Sequence, residues 1–418
     1  IRRQRQMCIR DSLYIYYLAI SNFFSIVPFG YLTSIGRGFP LLMFQLFWLL
    51  FGYLKYKRNP SIPKLNTKSN ESILLWLFIG IIPSVFMANE LFGQTYLQSF
   101  ISYRNLWLFL SIPTLLSIRP TIDELNKSIF SFGVTFLIVC LLRTLLPFQF
   151  YISSLQEVNY NTEGGSRLLN MPLYVCYEII LLPLYFYCVS LWKKYDSRIA
   201  LKAILLFIIL VLIQNRSTLF PALIVVAITI LKCRIRPYFI KAVIILGTSF
   251  ILIYSVSEII LSLLEETSTQ LGSTYDPRVK AMNYFLDFNR LSLSEILFGT
   301  GNISFQTSSY VANLQARHIH YSDVGFIGFW SQFGLLPICV FVYYLLKCIF
   351  TRYMPWSERF VAIHILICSA TISYFESPSH MIWFVLFYYQ YCLYKSTIKK
   401  KYKLNYNNAL IGHYNPCV

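Results

Sequence analysis

Apolar residues in this sequence gather into blocks of roughly 17–25, the length a helix needs to cross a hydrocarbon core about 30 Å thick. A single block of that kind is compatible with the core of a soluble domain. Here the blocks follow one another along nearly the whole chain, joined by short polar connections. Of the 418 residues, 56% are hydrophobic and 13% are charged, whereas a soluble domain carries about a quarter charged residues. Nowhere does the chain stay polar for long enough to clothe a globular domain. The expected fold is therefore all-α: a polytopic integral membrane protein.

Hydropathy marks about twelve spans, at 13–32, 38–54, 72–88, 101–118, 128–147, 171–192, 199–213, 219–231, 239–262, 322–346, 358–375 and 381–394. The pair 199–213 and 219–231 is short, and a re-entrant hairpin around "QNRST" is the alternative there. The expected organisation sets residues 1–12 apart as a non-native remnant, because "IRRQRQMCIRDS" differs in character from everything after it. Nine helices follow over 13–262, then a large external loop over 263–321. The last three helices occupy 322–394, and a basic cytoplasmic tail covers 395–418. The cysteines, at 8, 140, 176, 188, 233, 339, 348, 368, 392 and 417, form no CxxC pair. They read as small buried hydrophobes rather than a disulfide frame or a metal site.

Charge assigns the sides. The connections "KYKRNPSIPKLNTK", "KKYDSR", "KCRIRP" and "KCIFTR" and the tail "KSTIKKKYK" all fall on one side, and short loops rich in Lys and Arg stay in the cytoplasm. Both termini are expected inside. Nine basic residues remain on or near the outer side, and eight of them are arginines: Arg37, Arg104, Arg143, Arg167, Arg216, Arg278, Arg290 and Arg317, with Lys280 the exception. A planar guanidinium grips phosphate in a bidentate way that an ammonium cannot. The arginines are therefore a candidate grip for a phosphorylated ligand. In the plainer reading they snorkel, or pair with Glu90, Glu157, Glu163 and Asp276.

A connection as long as 263–321 is normally functional or disordered. Its periodicity argues for order: in "DPRVKAMNYFLDFNRL" the residues Val279, Met282, Phe285 and Leu286 share a helical face. Pro277 and Arg278 read as the start of that helix, where N–H groups and dipole would reinforce an arginine as a phosphate contact. "LFGTGNISF" supplies Gly299 and Gly301 for a tight turn but is no P-loop, since it lacks a GK[ST] ending. At the loop's end stands "ARHIHYSDVGFIGFW". His318 and His320 could serve as bases near neutral pH, and nothing such as HExxH suggests zinc. Asp323 is placed where the apolar run begins. It reads either as an N-cap or as an acid whose protonation is tuned by its surroundings.

The order of these features resembles the O-antigen polymerase (Wzy) and O-antigen ligase superfamily. It runs from "QNRSTLFPAL", through a large external loop opening on "DPRVKAMNYF" and "LFGTGNISF", to "HIHYSDVGFIGFWSQFGLLPI". The resemblance covers mainly residues 205–346. It implies a GT-C-like bundle and metal-independent, inverting glycosyl transfer on the outer face of the bacterial inner membrane. It implies no cofactor and no nucleic-acid partner. The donor and acceptor would be oligosaccharides on undecaprenyl pyrophosphate, with a chain-length regulator as a further partner. Residue by residue, Arg216 and Arg278 match the arginines of the hairpin and of the loop opening, with Arg290 and Arg317 as further pyrophosphate contacts. Ligases of the superfamily carry a His-Asn pair about a dozen residues ahead of a glycine. Counting back from Gly334 gives Asp323 instead, so the implied catalytic side chain is Asp323, with His320 in reserve. That favours a repeat-unit polymerase over a ligase. A lipid-linked oligosaccharide flippase is the rival from another class, although no internal repeat of the transporter kind is visible.

Overall fold

The computed structural model describes residues 2–20, 47, 50, 54, 80–103, 108–109, 111–145, 177–213, 216–233, 277–287, 291–302, 321–352, 354–370 and 380–396. Among these there is no strand, as an all-α reading expects. The helices are α1 (Arg2–Ile20), α2 (Ile82–Phe92), α3 (Tyr96–Ser102), α4 (Ser111–Ile118), α5 (Ile122–Leu145), α6 (Leu181–Lys193), α7 (Ser197–Ile213), α8 (Arg216–Lys232), α9 (Pro277–Phe285) and α10 (Leu293–Phe298). A 3-10 turn at Tyr321–Val324 leads into α11 (Gly325–Phe333), α12 (Leu335–Phe350), α13 (Trp356–Cys368) and α14 (380–396). The expected span at 239–262 lies outside the described residues. Within α5, the stretch Ile122–Leu141 is the one described helix both long and apolar enough to cross a membrane by length and composition.

The central element is α14, whose residues 380–392 are all buried. Phe384 meets Phe109 and Phe341, Tyr388 meets Tyr344, and Trp383 presents its ring to His364. Around it α6 packs on α7, α8 and α13, while α5 packs on α1 and α7. Gly133 explains how α5 and α7 come close: a Cβ there would stand 2.9 Å from Leu206 and 3.2 Å from Ile209. Small residues let helix backbones approach in this way.

Side-chain pairs fix the directions. Phe130 meets Tyr187 while Gly133 lies near Ile180, and Lys202 stands over the Phe130 ring while Gly133 lies near Leu206, so α5 runs antiparallel to α6 and parallel to α7. The short pair around "QNRST" forms two separate 17-residue helices, each about 25 Å long at 1.5 Å per residue. At one end of the bundle, Lys232 stands 4.4 Å above the Trp192 ring and 5.5 Å above Trp356. Arg359 lies 5.0 Å from Trp356 and donates to the Thr351 carbonyl at 2.8 Å. The connections "KKYDSR", "KCRIRP" and "KCIFTR" therefore begin or end together at this Trp–Lys–Arg belt.

Three expectations need correcting. The span 322–346 is two helices, because Gly334 takes φ +83° and ends α11 there. The helix at 277–285 buries Ala281 and Phe285, while Val279 and Met282 are 44% and 40% exposed. Its buried face is thus rotated away from the one the periodicity selects, because the neighbouring 3-10 turn presents Tyr321 and Val324 to Phe285. Finally, α1 runs antiparallel to α5: Tyr14 bonds Thr135, while Tyr17 lies against Phe132. It therefore points towards the belt end rather than away from it, opposite to the direction expected of the first span. Charge rules orient a helix through its flanking loops. Here the Tyr14, Tyr16 and Tyr17 hydroxyl and ring contacts select the direction instead.

Candidate functional site

The end of the bundle opposite the belt is built around the last carbonyls of α11. A helix leaves its final C=O groups without intrahelical donors, and the segment Gly299–Asn302 supplies them. Thr300 N–H donates to the Ser331 carbonyl at 2.7 Å, and Gly301 N–H to the Gln332 carbonyl at 3.1 Å. The Thr300 hydroxyl adds a second bond to Ser331, and the Ser84 hydroxyl a second to Gln332. The neighbouring amides are also engaged, Gly299 with the Glu295 carbonyl at 2.8 Å and Asn302 with the Tyr103 hydroxyl at 2.7 Å. No N–H of this turn is left to cradle an anion, so it is a helix cap. The glycines are required: a Cβ at Gly299 would lie 2.5 Å from Gln332 backbone atoms, and one at Gly334 2.1 Å from the Leu297 carbonyl.

Beside this cap is a cavity of about 170 Å³. Its described lining includes Leu91, Phe92, Tyr284, Phe285 and Tyr321 together with Glu295, Thr300 and Ser331. Phe285 and Tyr321 stack at 4.6 Å with 25° between their planes, which docks α9 onto the 3-10 turn. The α9 helix begins at Pro277, so Arg278 falls in its first turn as the sequence suggests. Asp323 belongs to the 3-10 turn that holds Tyr321. The structure thus joins the two elements that carry Arg278 and Asp323. The side chains of Arg216, Arg278 and Asp323, and all of Arg290, Arg317, His318 and His320, lie outside the described residues.

A second polar group, unmarked in the sequence reading, lies among the helices at the same end. Glu178 is 1% exposed, just ahead of α6, and its Oε1 is 2.8 Å from Nε2 of His380 on α14. The Tyr177 hydroxyl donates to the same carboxylate at 3.2 Å and lies 3.1 Å from the Thr218 hydroxyl. Thr218 is the third residue of α8, two positions after Arg216, so this group ties α6, α14 and the first turn of α8 together. Below it, Nδ1 of His364 bonds the Tyr185 hydroxyl. Ala370, just past α13, lies against the start of α11: a Cβ at Gly325 would meet its carbonyl oxygen at 2.4 Å. One signal in the sequence was available. A lone carboxylate inside the apolar block 171–192 is costly in lipid unless it is paired.

Among the described residues no three His, Cys, Asp or Glu side chains converge as metal ligands would. No model of a known protein family matches this sequence, and it has no match among curated proteins.

Proposed function

We propose that this chain is a polysaccharide repeat-unit polymerase of the bacterial inner membrane, spanning it about twelve times, with its active site on the outer face. The reading places the Trp–Lys–Arg belt in the cytoplasm and the capped end outside. The observation that carries it is the docking of α9 on the 3-10 turn, which brings the elements bearing Arg278 and Asp323 to one cavity at that end. An apolar exterior supports a lipid setting: Leu141, Leu231 and Phe350 stand out from the bundle while Glu178 and His380 are inside it.

In the proposed reaction the hydroxyl at the non-reducing end of one lipid-linked repeat attacks the anomeric carbon of another. The new C–O bond forms as the bond to pyrophosphate breaks, with inversion, and undecaprenyl pyrophosphate departs. Asp323 takes the proton from the attacking hydroxyl. Arg216 and Arg278, with Arg290 and Arg317, offset the charge on the leaving pyrophosphate. Purified protein given synthetic undecaprenyl-pyrophosphate repeat units is expected to form a ladder of products. Arg278→Ala is expected to slow the ladder about 10²-fold, and Asp323→Ala by about 10²–10⁴-fold. Product formation only when lipid A core is added would make the chain a ligase. Movement of lipid across liposome leaflets without new glycosidic bonds would overturn the transferase reading.

A further inference from the structure

We infer that the Trp–Lys–Arg belt is a binding site for the phosphodiester headgroup of one anionic glycerophospholipid. The inference rests on the membrane setting proposed above and uses none of the transferase chemistry.

The cations come first. Lys232 ends α8 and Arg359 lies near the start of α13. Lys232 stands 4.4 Å above Trp192 and 5.5 Å above Trp356, and Arg359 lies 5.0 Å from Trp356. Because both cations are measured to the Trp356 ring, they can be no farther apart than the sum of those two distances. An aromatic face attracts a cation through its quadrupole but does not neutralise it. Among the described residues neither cation is paired with a carboxylate, since the ion pairs there involve Arg10, Lys127 and His380. Glu358, the neighbour of Arg359 in sequence, is buried and accepts from the Ser357 hydroxyl. Arg359 gives one donor to the Thr351 carbonyl at 2.8 Å, and a guanidinium has further donors to offer. Two positive charges thus meet at rings with no anion of the described protein to answer them.

The site is also held in shape. The Trp192 indole N–H donates to the Thr229 hydroxyl at 3.1 Å. Phe360 stands edge-on to Trp192 at 5.7 Å and lies 5.8 Å from Trp356. Fixed rings place both cations before a ligand arrives, which lowers the ordering cost of binding. The start of α13, with Pro355 at its N-cap and no side chain capping it, adds the positive end of a helix dipole.

The surroundings then select a lipid over a soluble anion. Trp356 itself is exposed, and so are Leu231 beside Lys232 and Phe350 at the end of α12. Along α8 the exposed residues Phe220, Ile224 and Leu231 share one helical face. That stripe rises about 16 Å at 1.5 Å per residue, close to one half of a hydrocarbon core about 30 Å thick. An acyl chain can lie along it with its headgroup at the Lys232 end. Inorganic phosphate would answer the cations and leave the stripe bare. A zwitterionic lipid would bring its own ammonium towards Lys232 and Arg359, so the net charge of the headgroup decides. Basic pockets between helices at the cytoplasmic face suit headgroups of this kind.

The test uses the full-length protein in detergent and native mass spectrometry, with equimolar phosphatidylglycerol, phosphatidylethanolamine and phosphatidylcholine of matched acyl chains. Phosphatidylglycerol is expected to be retained about tenfold more often than either zwitterionic lipid. Lys232→Gln and Arg359→Gln are each expected to cut that preference about fivefold, the effect of one cation near an anionic headgroup, and together to abolish it. Lys127→Gln combined with Arg198→Gln removes two exposed charges at the same end of the bundle that meet neither tryptophan, and is expected to leave the preference intact. Excess inorganic phosphate is expected not to displace the lipid. Circular dichroism and the thermal midpoint identify a variant that fails to fold, and Lys232→Gln, at an exposed position, then decides. Equal retention of the three lipids, displacement by phosphate, or a loss as large in the Lys127 and Arg198 variant as in the belt variants would each overturn the assignment. A preference held by the belt, with no ladder formed by the wild type, would leave the lipid site standing and remove the polymerase. A ladder from a protein that shows no lipid preference would do the reverse.

Discussion

At Glu178 and His380 two ionisable side chains are buried side by side, and the cost of breaking such a pair is asymmetric. Removing one partner leaves the other uncompensated in a medium that solvates it poorly, at about 3–5 kcal/mol, whereas replacing both together is often nearly neutral. The 2.8 Å contact and the near-complete burial of Glu178 put this pair in that regime. Glu178→Leu and His380→Leu are each expected to lower the thermal unfolding midpoint in detergent markedly. The double variant is expected to lose less than the two single losses added together, by about 0.5–3 kcal/mol. Strict additivity would mean that the two side chains do not support each other. Glu178 stands out in the sequence as a lone carboxylate inside an apolar block, but its partner does not, since His380 is one polar letter at the edge of another. Which polar letter meets which is decided by packing across half the chain.

Among the elements, the cap on α11 shows what a glycine contributes beyond a permitted φ. Gly93, Gly299 and Gly334 all have positive φ, at 63°, 75° and 83°. Gly93 has nothing within 4 Å of an added Cβ, while Gly299 and Gly334 would drive theirs into backbone. Alanine at Gly93 should therefore cost only the left-handed conformation, about 1–2 kcal/mol. Alanine at Gly299 or Gly334 must also part the cap from α11 and uncover the Ser331 and Gln332 carbonyls, so each should cost clearly more. Thermal midpoints of the three variants, with limited proteolysis between α9 and α10, measure the difference; equal losses would sink the account. The turn itself was legible, since "FGTG" announces tight backbone. That its amides serve a helix more than thirty positions away was not. The same holds for α9, whose existence and start follow from Pro277 and the periodicity, while its buried face follows from Tyr321 and Val324.

At the scale of the whole molecule, the arrangement of polarity among the described residues supports the proposed lipid setting. The interior holds Glu178, His380, His364 and Glu358, and the exterior of α5, α7, α8 and α12 presents leucine, isoleucine and phenylalanine. Outward-facing apolar side chains of this size support the lipid setting proposed above. Blocks of apolar residues are local properties of about twenty residues, which is why the all-helical class could be read directly while helix ends such as the break at Gly334 could not. The direction of α1 depends on which partner it packs against, and no local rule supplied it. The orientation is testable by thiol labelling in intact cells, in a background with the native cysteines replaced. Asp287→Cys, exposed at the end of α9, is expected to react with a membrane-impermeant maleimide from outside. Asp196→Cys, exposed between α6 and α7, is expected to react only after permeabilisation. The opposite pattern would invert the bundle and put the α9 cavity on the cytoplasmic side, where no outer-face transferase could use it. Labelling of both positions in intact cells would show that no membrane separates the two ends.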